Sequence, residues 1–381
     1  MTMDQKSPDR RNLLKILGSV AGVGGLAGCL GDSGNSSGGS GGGNDSGGGG
    51  GGGNGSGGSS GNNSGSGNGS DGSGGGGETG MVMLTSTSTT SAYAMSQGIA
   101  ATVNQNNNTV NVDARPSEGT NANVGQLQRQ AAQIVYIQNW TANKLREGQD
   151  PFSDLSFTPN QVHHLYDLGW FLCTGNQGWE TVADIESGSR VSPTPRGSGT
   201  SEMLQQALGY ATEDYERVSI DYGSQGSAMS AGRLDVGAGT FVNFSVEPGW
   251  LQEMKGTVDL RLLDFPDNVA SKLRQDPAIN VTDIDTSQFD GFAYAPDQLT
   301  TPSLSYNFIA RNDFSYDAVY SYLETLHANR EGLEEYNALL GPLADEQQFL
   351  ANPYDMPFHP AAADFYEEIG IWNDDLTRGE E

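Results

Sequence analysis

The sequence predicts an α/β fold in two lobes that turn their loops toward one cleft, and three observations carry that prediction. Short apolar strands alternate with helical segments from residue 81 onward, the pattern of βαβ units on a parallel sheet. A unit of polar glycine-bearing loop, helix and strand then recurs further along the chain. Once a low-complexity N-terminal stretch is set aside, about 300 residues remain, enough for two domains of ordinary size.

The N-terminal stretch is not part of that fold. Arg10-Arg11 is followed by a short apolar run, residues 16–30, that ends in Leu26-Ala27-Gly28-Cys29. A twin arginine, a modest apolar segment and this box predict a Tat-type lipoprotein signal over residues 1–28, with Cys29 lipidated after cleavage. The run is too short and too rich in glycine for a spanning helix. Residues 29–79 are almost wholly Gly, Ser, Asn and Asp. They cannot bury enough apolar surface to offset their ordering entropy, which predicts a disordered tether spanning roughly 40 Å. The expected product is a globule held by lipid at the outer face of the cell membrane.

The elements of the globule follow in order. Residues 81–84 read as a strand, "TSTSTTS" as a polar loop, 93–103 as a helix and 110–114, by alternation, as a second strand. "EGTNANVGQLQRQAAQIVYIQNW" then predicts a helix over 123–131 and a strand over 133–137. Trp170 and Phe171 in "YDLGWFLCTG" mark the first crossover strand between lobes, and residues 305–313 the return. In "RVSPTPRGSGTSEMLQQALGY" a strand ends at Ser192 and the helix runs over 201–208. Ser198 or Thr200 can cap it, leaving backbone N–H groups and the positive end of the helix dipole facing the cleft as an anion site. Beside it Arg196 is expected to bind ligand as a bidentate grip on a carboxylate, with an ion-pair partner in an acidic surface as the alternative. "YGSQGSAMSAGRLDVGAGTF" repeats the layout with a loop at 223–226, a helix to 230 and a strand over 234–238. The predicted boundaries are residues 80–173 for the first part of lobe 1, 174–304 for lobe 2, and 305–381 for the return and C-terminal helices. Trp140, Tyr222, Phe241 and Trp250 follow strands or loops, and one of the four is expected to stack on a ligand.

Charge and motif search narrow the function. The chain has 19 Lys plus Arg against 47 Asp plus Glu, a formal net charge of −28. Such a surface argues against nucleic acid and anionic lipid head groups as partners and suits concentrated salt, as in a halophile's exported protein. Cys173 stands alone once Cys29 carries lipid, and His163, His164, His327 and His359 lack companions at ligand spacing, so neither a disulfide nor a metal or other cofactor is expected. The 194–203 loop has no P-loop lysine and no Gly-x-Ser-x-Gly elbow, and no other catalytic motif stands out, so no enzyme is expected.

Four segments in order, "TSTSTTSAYAMSQGIA", "SEGTNANVGQLQ", "RVSPTPRGSGTSEMLQQALGY" and "MPFHPAAADFYEEIG", resemble the TAXI family of solute-binding proteins, the extracytoplasmic receptors of TRAP transporters. The resemblance spans about residues 81–371. It implies a type II periplasmic-binding fold that closes on a small anionic solute, an amino acid or a dicarboxylate such as glutamate or 2-oxoglutarate, and delivers it to an integral membrane permease. Residue by residue it implies Tyr93 in the first loop, Asn123 in the second, Gln138 at a strand end, Ser198 and Thr200 in the Gly-Ser-Gly-Thr loop and Tyr294 in the returning segment as ligand-binding, with Thr85, Ser86 and Ser91 lining the opposite wall. The chain departs from the family pattern at residues 89–92, where glycines are usual, and at Arg196, where a small residue or proline is usual. A binding protein of an ABC importer, and an enzyme or surface-interaction lipoprotein on the same scaffold, are the alternatives.

Overall fold

A computed structural model describes residues 78–196 and 198–380. The expected signal, the Cys29 lipid site and nearly all of the expected tether lie outside the described residues. The first strand begins slightly earlier than expected, at Thr79, which donates its N–H to Thr109 O at 2.7 Å.

The first half opens with β1 (Thr79–Leu84), α1 (Ser91–Asn106), β2 (Val110–Arg115), α2 (Thr120–Gln128), β3 (Ile134–Gln138) and α3 (Asn139–Arg146). β2 buries Val110, Val112 and Ala114 and exposes the residues between them, the alternation of a strand with one dry face. β3 is buried on both faces. Both helices start earlier than residue spacing suggested. The Thr90 hydroxyl accepts from Tyr93 N and sets the start of α1. α2 begins after Gly119, whose φ of 122° and ψ of −179° a side chain would strain.

Next come β4 (Pro159–Thr174), β5 (Ser189–Val191), α4 (Gly199–Gly209), β6 (Tyr215–Arg217), α5 (Gln225–Ser230), β7 (Val236–Val242), α6 (Gly249–Thr257) and β8 (Arg261–Leu263). α7 (Asp267–Gln275), β9 (Asn280–Asp285), β10 (Gln298–Arg311), α8 (Tyr316–Ala328), α9 (Leu333–Tyr336) and α10 (Pro360–Glu368) complete the chain.

The sheet has the same plan twice. In one half the order is β2-β1-β3-β10-β4, with β1, β2 and β3 parallel and β10 antiparallel to its neighbours. In the other it is β6-β5-β7-β4-β8, with β4 now the antiparallel strand. Each half is thus an α/β lobe into which a long strand from the other is threaded. β4, at 16 residues about 53 Å long, pairs with β10 through residues 159–169 and with β7 through 168–174. This is the two-lobed α/β architecture of the type II periplasmic-binding fold. The second lobe has a core of its own, where Phe171, Phe241, Leu251, Met254 and Leu262 pack together.

Three histidines are structural. His163 donates from Nδ1 to His164 O at 2.7 Å, so its neutral Nε2 accepts from Tyr322 OH at 2.8 Å. Burial pushes its pKa down from 6.5 to about 4, and lowers His164 and His359 in the same direction. Because the folded pKa lies below the unfolded one, the neutral ring supports the fold above pH 6.5 and that support is lost as pH falls toward 4. The loss from His163 is roughly 3 kcal/mol. Urea midpoints across this window should fall less steeply for His163→Asn than for the natural protein, and parallel slopes would refute the assignment.

Candidate functional site

Loops after the parallel strands face each other across the two lobes, as the carboxyl ends of strands in open α/β sheets do. Between them lies an inner chamber of about 60 Å³, which opens onto an outer vestibule of about 680 Å³. Ser86, Ser91, Gly119, Ser198, Tyr222 and Trp250 line both, and so form the neck where the two spaces meet.

Three helices begin at this neck. Thr90 and Ser91 open α1, Gly119 and Thr120 open α2, and Ser198 with Thr200 opens α4. First-turn N–H groups have no carbonyl partner within their own helix, and the dipole adds partial positive charge. Ser198 caps α4 by accepting from Thr200 N at 3.1 Å, while Gly119 offers α2 no side-chain cap.

The inner chamber is aromatic. Tyr166, Leu168 and Trp170, alternate residues of β4, present the same strand face to it. Tyr306 of β10 stacks between Tyr166 and Tyr136, with ring centroids 5.0 and 5.1 Å away. Register slips of β10 against β4 on either side of Asn307 and Phe308 bend the strand just past Tyr306. From the other lobe Tyr222 stacks on Trp250 at 5.0 Å and approaches Trp170 at 5.9 Å. Thr200 Oγ1 and Tyr306 OH share a hydrogen bond of 3.1 Å. Burial raises Tyr136, Tyr166, Tyr222 and Tyr306 well above the ordinary phenol range, so the hydroxyls stay neutral. Among the described residues that line the chamber, none carries a charge.

Charges appear only outside. Arg196 lines the vestibule with Glu118, Asp221 and Glu253. Its side chain is exposed, its backbone N–H donates to Ser219 Oγ at 3.3 Å, and it makes no ion pair among the described residues.

The residues singled out from sequence fall into three groups. Ser86, Ser91 and Ser198 meet at the neck and Thr200 lies in the chamber, with Arg196 in the vestibule. Thr85, Asn123 and Gln138 stand behind the walls. Asn123 Nδ2 donates to Thr85 O and Tyr136 O at 2.8 and 2.9 Å, pinning loop to strand. Gln138 accepts from Thr141 Oγ1 at 3.2 Å, and its Nε2 has no partner. Tyr93 and Tyr294 line neither space; Tyr294 lies under the Arg261 guanidinium, 4.6 Å from its ring centre. Of the four stacking candidates, Tyr222 and Trp250 line the chamber, Phe241 is core, and Trp140 holds Glu202. Sequence reasoning passed over Tyr136, Tyr166 and Tyr306. The period-two spacing of Tyr166, Leu168 and Trp170 was the available signal.

The lobes touch beside the chamber. Glu202, in the first turn of α4, accepts from Asn121 Nδ2, Trp140 Nε1 and Lys144 Nζ of the first lobe, each at 3.0 Å. Gly199 N donates to Thr120 Oγ1 at 3.4 Å. Among the described residues no group of three His, Cys, Asp or Glu could hold a metal ion, and no helix is long and apolar enough to cross a membrane.

No curated protein matches the chain. Solved structures that resemble it include the ligand-binding component of an ABC-type import system from Staphylococcus aureus, at 10% identity and TM-score 0.43, over 79% of this chain and 97% of that one. A Streptococcus mutans structure from work on glutathione import matches at 14% identity and TM-score 0.42, over 74% and 99% of the two chains. The alkanesulfonate-binding protein of Xanthomonas axonopodis matches at 11% identity and TM-score 0.37, over 79% and 96%. The family model described as NMT1-like matches residues 83–370. With most of its length so matched, the chain belongs to the NMT1-like family.

Proposed function

We propose that this protein is the extracytoplasmic solute-binding receptor of a TRAP-type secondary transporter, of the TAXI kind its motifs resemble. It captures a small anionic solute by closure of the two lobes and delivers it to a membrane permease, while lipid on Cys29 keeps it at the outer face of the membrane. One observation carries the reading: an uncharged chamber between two lobes, with three helix N-termini converging on its neck. Solute touches both lobes only when they are shut, so binding shifts the population toward the closed form. Membership of the NMT1-like family supports the reading. Arg196, exposed in the vestibule, draws the anion in rather than clamping it.

The test is a thermal-shift and small-angle scattering screen of the mature chain in high salt, with Cys29→Ser to prevent lipidation, against amino acids, dicarboxylates, oxo acids, aromatic acids and phosphates. A solute at a hundred times its Kd adds about 2.7 kcal/mol and should compact the particle. With salt screening the vestibule, Arg196→Ala should change Kd by no more than about threefold and act mainly on the association rate at low salt. Silence from every anion would sink the reading. A loss of about a hundredfold in Arg196→Ala would instead make that side chain a direct clamp.

A further inference from the structure

Resting on that receptor reading, we infer that the solute is a monoanion with a single flat ring, its charged head at the neck and its ring inside the aromatic chamber. The neck and the chamber are chemically different places. At the neck Ser86, Ser91 and Ser198 surround the starts of α1, α2 and α4, which favour a negative group. Beyond it the walls are rings and aliphatic side chains.

Inside, an ammonium or a second carboxylate would lose its hydration and meet no counter-charge, at a cost of several kcal/mol. That works against glutamate and 2-oxoglutarate, whose second carboxylate would lie inside. Burial keeps the four tyrosine hydroxyls protonated, so they supply no charge to an ammonium. Two ring stacks, Tyr136–Tyr306–Tyr166 from one side and Trp170–Tyr222–Trp250 from the other, suit a planar body. A volume of about 60 Å³ excludes any body larger than one ring.

The experiment is calorimetric titration of the mature receptor in high salt with para-hydroxybenzoate, benzoate, para-hydroxybenzamide, glutamate and 2-oxoglutarate. Scattering is recorded for each. Para-hydroxybenzoate and benzoate should each bind about a hundredfold more tightly than the uncharged amide. Tighter, compacting binding of glutamate or 2-oxoglutarate would overturn the inference and leave the receptor reading standing. If none of the five binds, the inference falls, and the receptor reading falls with it only if the wider anion screen is silent too.

Discussion

Valine at position 199 should stop solute capture without unfolding either lobe. A Cβ on Gly199 would meet Gln138 Nε2 in close contact and Thr141 Oγ1 at 2.8 Å, both in the opposite lobe. Gln138 is fully buried and has nowhere to retreat. Gly199 is the first residue of α4, where a β-branched side chain costs the helix little. The strain therefore acts on the shut arrangement and spares the open one. A bias of ~3 kcal/mol against closure weakens binding by about a hundredfold or more. Calorimetry with any solute found in the screen measures that loss, and scattering should show a particle that stays extended at saturating solute. Affinity within threefold of the natural protein would mean that the contact between Gly199 and Gln138 is not part of the bound state.

The largest loss of stability should come from Phe241→Ala. Phe241 is fully buried, stacked on Phe289 at 3.8 Å between centroids and inclined to Phe171 at 4.7 Å. Removing the ring leaves a cavity in the second lobe's own core, at roughly 3 to 5 kcal/mol. Its neighbours Thr240 and Val242 line the chamber, while Phe241 points to the other face of β7. Urea midpoints should drop sharply while the folded fraction keeps its solute preference. A loss below about 1 kcal/mol would mean that the core collapses into the space.

Local chemistry made part of this legible in the sequence. The alternation of β2 and the cap at Ser198 are decided by neighbours in the chain, and both are found where residue patterns put them. The returning strand is expected from residue 305 but begins at Gln298, although Pro302 lacks the N–H of a central strand residue. Here pairing of Pro302 with Val281 of β9 overrides that signal. The aromatic chamber was harder. Tyr136, Tyr166 and Tyr306 come from three strands far apart in sequence, and each taken alone looks like ordinary core. Tyr294 and Tyr306 lie in the same returning segment, and only the paired register of β10 brings Tyr306 to the chamber.

The placing of Tyr166, Leu168 and Trp170 on β4 has a mechanical consequence. β4 pairs in both lobes and lines the chamber, so on the proposed reading a solute pressed on those side chains acts as a splint across the joint. Flexing the joint disturbs the seat, and filling the seat stiffens the joint. Substitutions that retune what the receptor holds should therefore also retune how long it holds it, and unloading at the permease must bend the backbone beneath the cargo rather than lift a cover from above it.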